Sequence, residues 1–129
     1  MASEIDRLGA EKFVLLTTYR RDGRPVPTPV WAARDGDELL VWSERRAGKV
    51  KRIRAGGKVT VQACDVRGKQ TRGAVVTGQA RILDAEGSAR VRRAIARKYG
   101  LIGQATLFAS RLRGGTERTV GLAITLDQP

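Results

Sequence analysis

Prolines at positions 25, 27 and 29 constrain the fold of this chain more than any other feature of its sequence. They stand in a segment, residues 25–33, that lies between the turn signals Asp22-Gly23 and Asp35-Gly36. Proline interrupts a helix and removes a hydrogen-bond donor from a sheet, so in strands it is confined to edges, strand starts and bulges. The segment is therefore predicted to be a strand along a sheet edge or an open cleft. Such a strand either protects the sheet from aggregation or presents unpaired backbone to a ligand.

The rest of the chain consists mainly of short apolar segments separated by turn signals, which is typical of an antiparallel β architecture. Strands are predicted over residues 13–19, 25–33, 38–43, 58–64, 74–83 and 118–126, with 58–64 paired to 74–83. Helices are predicted over residues 3–12, capped by Ser3, over 47–55, and over 86–99, where Gly100 stands in the position that follows a helix end. The predicted fold is mainly β (α+β), with about six antiparallel strands and two or three helices in one domain, residues 1–129.

The content of reactive residues limits the chemistry that the side chains of this protein can carry out by themselves. With one cysteine and no histidine, the chain lacks an internal disulfide, the common zinc and haem ligand sets, and any Ser-His or Cys-His nucleophilic pair. We therefore expect no metal site, and a cofactor that carries the chemistry. Cys64 is predicted to pack or line a pocket on the same strand face as Thr60 and Gln62, and Tyr19 is either a proton donor or a structural residue.

The net charge of +12 indicates an anionic partner, which can be nucleic acid, an anionic membrane or a phosphorylated small molecule. Nucleic acid is the less favoured of these, because aromatic residues are only 5% of the chain and do not alternate with the basic residues. The first residues lack a secretory pattern and no apolar run approaches the ~20 residues of a membrane span. The sequence therefore predicts a cytoplasmic protein without a membrane partner.

Seven basic residues fall within fourteen positions, and this run is the most specific local indication of an anion-binding site. Gly48 precedes Lys49 at the start of the predicted helix, where backbone amides and the helix dipole favour an anion. A phosphate site and a solvated basic helix face are both compatible with this run. Its members are Arg45, Arg46, Lys49, Lys51, Arg52, Arg54 and Lys58.

The order of several short motifs resembles pyridoxamine-phosphate-oxidase-like proteins, and within them most closely the small deazaflavin-dependent reductases. The motifs are Leu15-Leu16-Thr17-Thr18, Asp22-Gly23-Arg24-Pro25, Pro29-Val30-Trp31, Leu40-Val41-Trp42-Ser43, Gly48-Lys49-Val50-Lys51-Arg52-Ile53 and Arg97-Lys98-Tyr99-Gly100. The resemblance implies an FMN-binding-protein-like split β-barrel that works as a homodimer, with the cofactor in a cleft between subunits. It also implies that Lys49 and Arg52 bind the cofactor phosphate with Ser43 and Lys51 nearby, and that Thr28, Pro29, Val30 and Trp31 border the ring.

The same resemblance implies an oxidoreductase that transfers a hydride between its cofactor and a small conjugated organic substrate. Coenzyme F420 is the first choice and FMN the alternative, because the acidic tail of F420 matches the long basic run. Pro29 departs from the small polar residue often found in that stretch and excludes a backbone-amide contact there. A non-catalytic cofactor- or anion-binding protein on the same fold is a further alternative.

Overall fold

A computed structural model describes residues 3–114 and 118–127, which contain seven strands and three helices. The predicted α+β class is confirmed. The helices are α1 (Glu4–Gly9), α2 (Gly48–Ala55) and α3 (Ala85–Gly114). The strands are β1 (Phe13–Tyr19), β2 (Pro25–Val30), β3 (Ala32–Asp35), β4 (Glu38–Glu44), β5 (Lys58–Cys64), β6 (Thr71–Ile82) and β7 (Thr119–Leu126).

One antiparallel sheet, in the order β2-β1-β5-β6-β7-β4-β3, contains all seven strands. The predicted single strand over residues 25–33 is wrong in one respect, because it divides at Trp31 into β2 and β3. β2 pairs with β1, whereas β3 pairs with β4 at the opposite end of the sheet order. One residue thus joins the two ends of the sheet, which curls it into a barrel and raises the strand count from about six to seven.

The proline strand lies at an edge, as predicted. Prolines 25, 27 and 29 occupy alternate positions of β2, opposite Tyr19, Thr17 and Leu15 of β1. N–H groups of alternate residues in a strand point to the same side, so the three missing donors all belong to one side of β2. The side that faces β1 keeps its donors, and the open side offers carbonyl acceptors only.

Two apolar clusters lie on the two faces of the sheet. Along β4, Leu39 and Val41 face the barrel interior, while Leu40 and Trp42 face a second cluster under α3. α2 adds Val50 and Ile53 to the interior cluster, so its apolar face completes the core that the sheet encloses. This strict alternation is what a sheet covered on both faces requires.

The helix ends follow local signals. Ser3 caps α1 and forms a capping box with Asp6, as its side chain accepts from the Asp6 N–H. Gly100 has φ 61° and interrupts α3 after the predicted end at residue 99, but the chain resumes a helical course to Gly114, which the pattern did not predict. Strand β6 begins at Thr71 rather than at residue 74, because a bulge in the β5–β6 pairing extends it. Among the described residues, no helix combines the length and apolar character that a membrane crossing requires.

Candidate functional site

The first turn of α2 has several features that favour an anion. Its N-cap residue is Ala47, whose side chain makes no capping hydrogen bond. The helix therefore begins without the Ser, Thr, Asp or Asn oxygen that usually accepts from the first free N–H groups. The Val50 N–H is bonded to the Ala47 carbonyl over 3.1 Å, so the N–H groups of Gly48 and Lys49 remain for an anion, and the helix dipole adds positive potential at the same point.

Lys49 and Arg52 come together at this helix start. The Arg52 Nε donates to the Thr18 Oγ1 over 2.6 Å, which anchors its side chain on β1. The guanidinium lies over Gly48, where an added Cβ would be 2.7 Å from Nη1. Burial, and then the neighbouring Arg52 charge, lower the pKa of the Lys49 ammonium, while Glu44 opposes the shift. A bound anion would relieve the repulsion between the two cations.

The structure gives less direct support to the other two residues predicted near the phosphate, Lys51 and Ser43. Lys51 is exposed on a different face of α2. Ser43 is 5% exposed at the end of β4, and its hydroxyl donates to the Glu44 carbonyl over 3.1 Å. Ser43 therefore supports the loop that leads into α2, and its hydroxyl oxygen can still accept a hydrogen bond.

The four residues predicted to border a ring point in different directions. Thr28 and Val30 lie on the β2 face that meets Leu16 and Val14 inside the barrel. Pro29 faces outward, while the Trp31 ring stacks on Tyr99, with centroids 4.3 Å apart and planes 8° from parallel. Their side chains do not form one wall, and the shared feature is the open backbone edge of β2. This edge can accept hydrogen bonds from a ligand ring but, at the prolines, cannot donate them.

The anion site and Trp31 lie at opposite ends of β2. Arg52 is bonded to Thr18, which pairs with Val26 near the start of β2. From Val26 to Trp31 the chain covers about 16 Å at the rise of an extended strand. This separation suits an extended ligand with a phosphate at one end and a ring at the other.

A cavity of about 400 Å³ opens beside Arg52 toward the end of α2, and we call it the α2 cavity. Its lining carries four cations and no carboxylate. Lys58 Nζ lies 5.8 Å from the centroid of the Tyr19 ring, which forms part of the wall. The sequence prediction missed Arg20, Arg21 and Gln79 and the anchoring role of Thr18; the adjacent arginines before the Asp22-Gly23 turn were the one available signal. The cavity is lined by Tyr19, Arg20, Arg21, Arg52, Ala55, Gly56, Gly57, Lys58 and Gln79.

Two titratable residues attach α3 to the rest of the fold. Lys98 Nζ donates to the carbonyl oxygens of Glu11 and Ala32, and burial lowers its pKa to about 8. The Tyr99 hydroxyl donates to the Lys12 carbonyl over 2.8 Å and accepts from the Ala32 N–H, and burial raises its pKa to about 12. Both groups hold the end of the first part of α3 against β3 and the segment before β1.

Replacing Lys98 by methionine is expected to remove a pH dependence of stability. The folded chain releases the Lys98 proton near pH 8, whereas an unfolded lysine keeps it to about pH 10.5, so the free energy of unfolding rises with pH between these values. We expect a rise of about 1 kcal/mol, well below the full value of the pKa difference, because the side chain is partly exposed. Urea unfolding of both proteins at pH 8 and pH 10.5 measures it. Equal pH dependence in the two proteins would contradict the assignment.

A sequence profile of the pyridoxamine 5'-phosphate oxidase family matches residues 3–120. No curated protein matches the chain.

Several solved structures share the fold at low sequence identity. An F420 reductase is 18% identical over 99% of this chain and 97% of its own, with a TM-score of 0.69. An FAD-binding protein from Mesorhizobium loti is 19% identical over 94% of this chain and 83% of its own, with a TM-score of 0.61. The haem storage protein HutZ from Vibrio cholerae is 15% identical over 92% of this chain and 84% of its own, with a TM-score of 0.69. At these identities the likeness extends to the fold alone.

Proposed function

Because the chain belongs to the pyridoxamine 5'-phosphate oxidase family, we propose that it is an oxidoreductase with a phosphorylated flavin-type cofactor at α2. The observation that carries this proposal is the start of α2, where an uncapped helix end, Lys49 and Arg52 meet. Backbone N–H groups and a guanidinium fork are the donors that a phosphate prefers. The donor set therefore fits the phosphate of FMN or F420.

Coenzyme F420 fits the surroundings of this site better than FMN. FMN ends at its phosphate, whereas F420 continues into an acidic oligoglutamate tail. The α2 cavity begins at Arg52 and adds Arg20, Arg21 and Lys58 without a carboxylate in its lining. We place the tail there. The haem alternative, which the fold also supports in HutZ, lacks a histidine ligand anywhere in this chain.

When bound, the cofactor would supply hydride transfer to or from a small conjugated organic substrate. The residues of this chain then position and shield it: Lys49 and Arg52 hold the phosphate, and the edge of β2 accepts hydrogen bonds from the ring. The inward-facing Val30 and the Trp31–Tyr99 stack exclude water from that end of the strand. In a chain without histidine, water would deliver a proton at the ring, because Tyr19 pairs with Pro25 at the phosphate end of β2 and lines the α2 cavity.

Fluorescence titration of the purified chain with F420 and with FMN, separately, tests the proposal. We expect saturable binding of both, with F420 the tighter ligand because its tail adds contacts. Oxidation of reduced F420 by a small cyclic enone, followed by absorbance, then separates a reductase from a cofactor carrier. Failure to bind either cofactor would overturn the proposed function, and binding without turnover of a panel of conjugated substrates would favour the non-catalytic alternative.

Cys64 is expected to be dispensable for this activity. It is 2% exposed on β5, and burial raises the pKa of its thiol, so it is not a reactive thiolate. Replacement by alanine removes one buried sulfur atom and should cost about 1 kcal/mol of stability while leaving most of the turnover. Steady-state assays of the variant check this, and complete loss of activity in a folded, cofactor-binding variant would show that the thiol takes part.

We further propose that the protein is a homodimer that pairs through the outward face of β2, β1, β5 and β6. A net charge of +12 opposes association of two copies, so contact is favoured where charge is absent. Two adjacent cross-strand rows on this face contain no charged residue, and Leu15 stands in their middle. The rows are Pro27, Thr17, Thr60 and Thr77, and then Pro29, Leu15 and Gln62, with the exposed Val75 on the neighbouring stretch of β6.

Light scattering is expected to give the mass of a twofold dimer. Replacing Leu15 by arginine puts two charges at the centre of the interface and should give a monomer. Ile102, an exposed apolar residue on α3, provides the matched control, since Ile102→Arg should stay dimeric. A monomeric wild-type protein, both with and without cofactor, would rule out the dimer.

A further inference from the structure

A second basic cavity lies between α1, β3 and α3, and we call it the α3 cavity. Its volume is about 400 Å³, which is within the range of small-molecule sites. It is separate from the α2 site in the fold, because α3 packs on β3, β4 and β7, whereas α2 packs on β1 and β6. Its lining consists of Gly9, Ala33, Arg34, Asp35, Arg90, Arg93, Ala94, Arg97 and Lys98.

The helix periodicity of α3 explains the shape of this cavity. Arg90, Arg93 and Arg97 recur at helical spacing and line one stripe, while Val91 and Ile95 face the second apolar cluster. Ala94 lies in the middle of the basic stripe, and its small side chain leaves the space that a larger residue would fill. At Gly9, an added Cβ would be 2.8 Å from the Arg34 Cβ, so α1 approaches β3 closely at the rim.

Ion pairing inside the chain neutralises only part of this positive charge. Arg34 pairs with Asp6, and Arg90 pairs with Asp35 and Glu38. Within residues 3–114 and 118–127, the side chains of Arg93 and Arg97 have neither an ion-pair nor a hydrogen-bond partner.

Lys98 adds a further cation, since its Nζ contacts carbonyl oxygens rather than a carboxylate. Asp35, the one acid in the lining, is already paired with Arg90. Three cations therefore converge on the cavity without an acid of their own.

We propose that the α3 cavity is a second anion site, independent of the cofactor, that binds a small molecule bearing a phosphate or pyrophosphate group. Arg93 and Arg97 stand four positions apart on one helix face, so their two guanidinium forks can reach a single anion. A single carboxylate would neutralise one cation of the three, whereas a phosphate group carries up to about two negative charges and a pyrophosphate group about three. No aromatic residue lines the cavity, so the base-stacking surface that single-stranded nucleic acid requires is missing from it.

Sodium pyrophosphate is the probe, and calorimetry of the full chain is the measurement. The variant Arg93→Ala/Arg97→Ala should weaken pyrophosphate binding at this site about ten- to a hundredfold. The variant Arg93→Lys/Arg97→Lys keeps the charge but loses the guanidinium forks. Its pyrophosphate affinity should fall between that of the wild type and that of Arg93→Ala/Arg97→Ala. The control Arg67→Ala/Lys69→Ala removes the same charge from an exposed loop and should bind as the wild type does.

The variant Lys49→Ala/Arg52→Ala separates the two sites. It should retain pyrophosphate binding at the α3 cavity, and amide NMR shifts on titration should concentrate at residues 33–35 and 93–98. Conversely, Arg93→Ala/Arg97→Ala should bind F420 as the wild type does, so failure of this inference and failure of the proposed function give different results.

Four outcomes would overturn the proposal. They are no pyrophosphate binding by the folded wild type, an equal loss in the loop control, a loss of F420 affinity in Arg93→Ala/Arg97→Ala, and competition by a short DNA duplex that the same substitutions abolish. The third would assign the cavity to the cofactor, and the fourth would make it a nucleic-acid surface.

Discussion

Replacing Lys49 or Arg52 by alanine is expected to weaken cofactor binding about ten- to a hundredfold in each case, the loss of one charge-assisted hydrogen bond to a phosphate. Both side chains lie at the uncapped start of α2, and Arg52 is already positioned by its bond to Thr18. The double variant should lose at least as much cofactor affinity as the single variant that binds more weakly. Fluorescence titration with F420 and FMN measures each affinity.

Two controls separate a local contact from general charge. Arg54→Ala removes a cation from the same helix at an exposed position, and Arg93→Ala removes one from α3. Both should change F420 affinity much less.

Salt adds an independent readout: wild-type binding should weaken as ionic strength rises, and Lys49→Ala should show a shallower dependence. If both single variants and the double variant bind F420 and FMN as tightly as the wild type, the phosphate lies elsewhere.

Replacing Gly121 by alanine is expected to lower the free energy of unfolding by about 1–3 kcal/mol, the usual cost of overpacking. Gly121 lies on β7 directly under α3, and an added Cβ would be 2.6 Å from the Val91 Cγ2 and 3.0 Å from the Ser88 Cα. Its N–H donates to the Ser88 Oγ over 2.8 Å, so the helix cannot move away without breaking a buried hydrogen bond. Urea unfolding at neutral pH measures the change.

Gly56 provides the matched control for this substitution. It follows α2 with an extended backbone, φ −172°, and an added Cβ would meet no atom within 4 Å. Gly56→Ala should leave stability unchanged or raise it by up to about 1 kcal/mol, because alanine reduces the freedom of the unfolded chain. Equal stability of Gly121→Ala and the wild type would show that α3 sits less closely on β7 than described.

Much of the local structure could be predicted from the sequence because it depends on neighbouring residues. The prolines at 25, 27 and 29 remove donors from one side of a strand, which only an edge tolerates, and β2 lies at an edge. Ser3 with Asp6 determines the start of α1, and Gly100 interrupts α3 where a positive φ is needed. Lys49 and Arg52 could be paired in advance for the same reason, since three positions on a helix place two side chains on one face.

Only the tertiary structure determined how these elements combine. The change of partner at Trp31, from β1 to β4, depends on the closure of the whole sheet. The bond from Arg52 to Thr18 joins residues that are 34 positions apart, and the hydrogen bond from Tyr99 to the Lys12 carbonyl spans 87.

The α3 cavity likewise requires α1, β3 and α3 together. Periodicity in a sequence records which face of an element is buried, but not which other element covers it. That choice depends on the packing of distant segments, and it decides which charges remain unpaired.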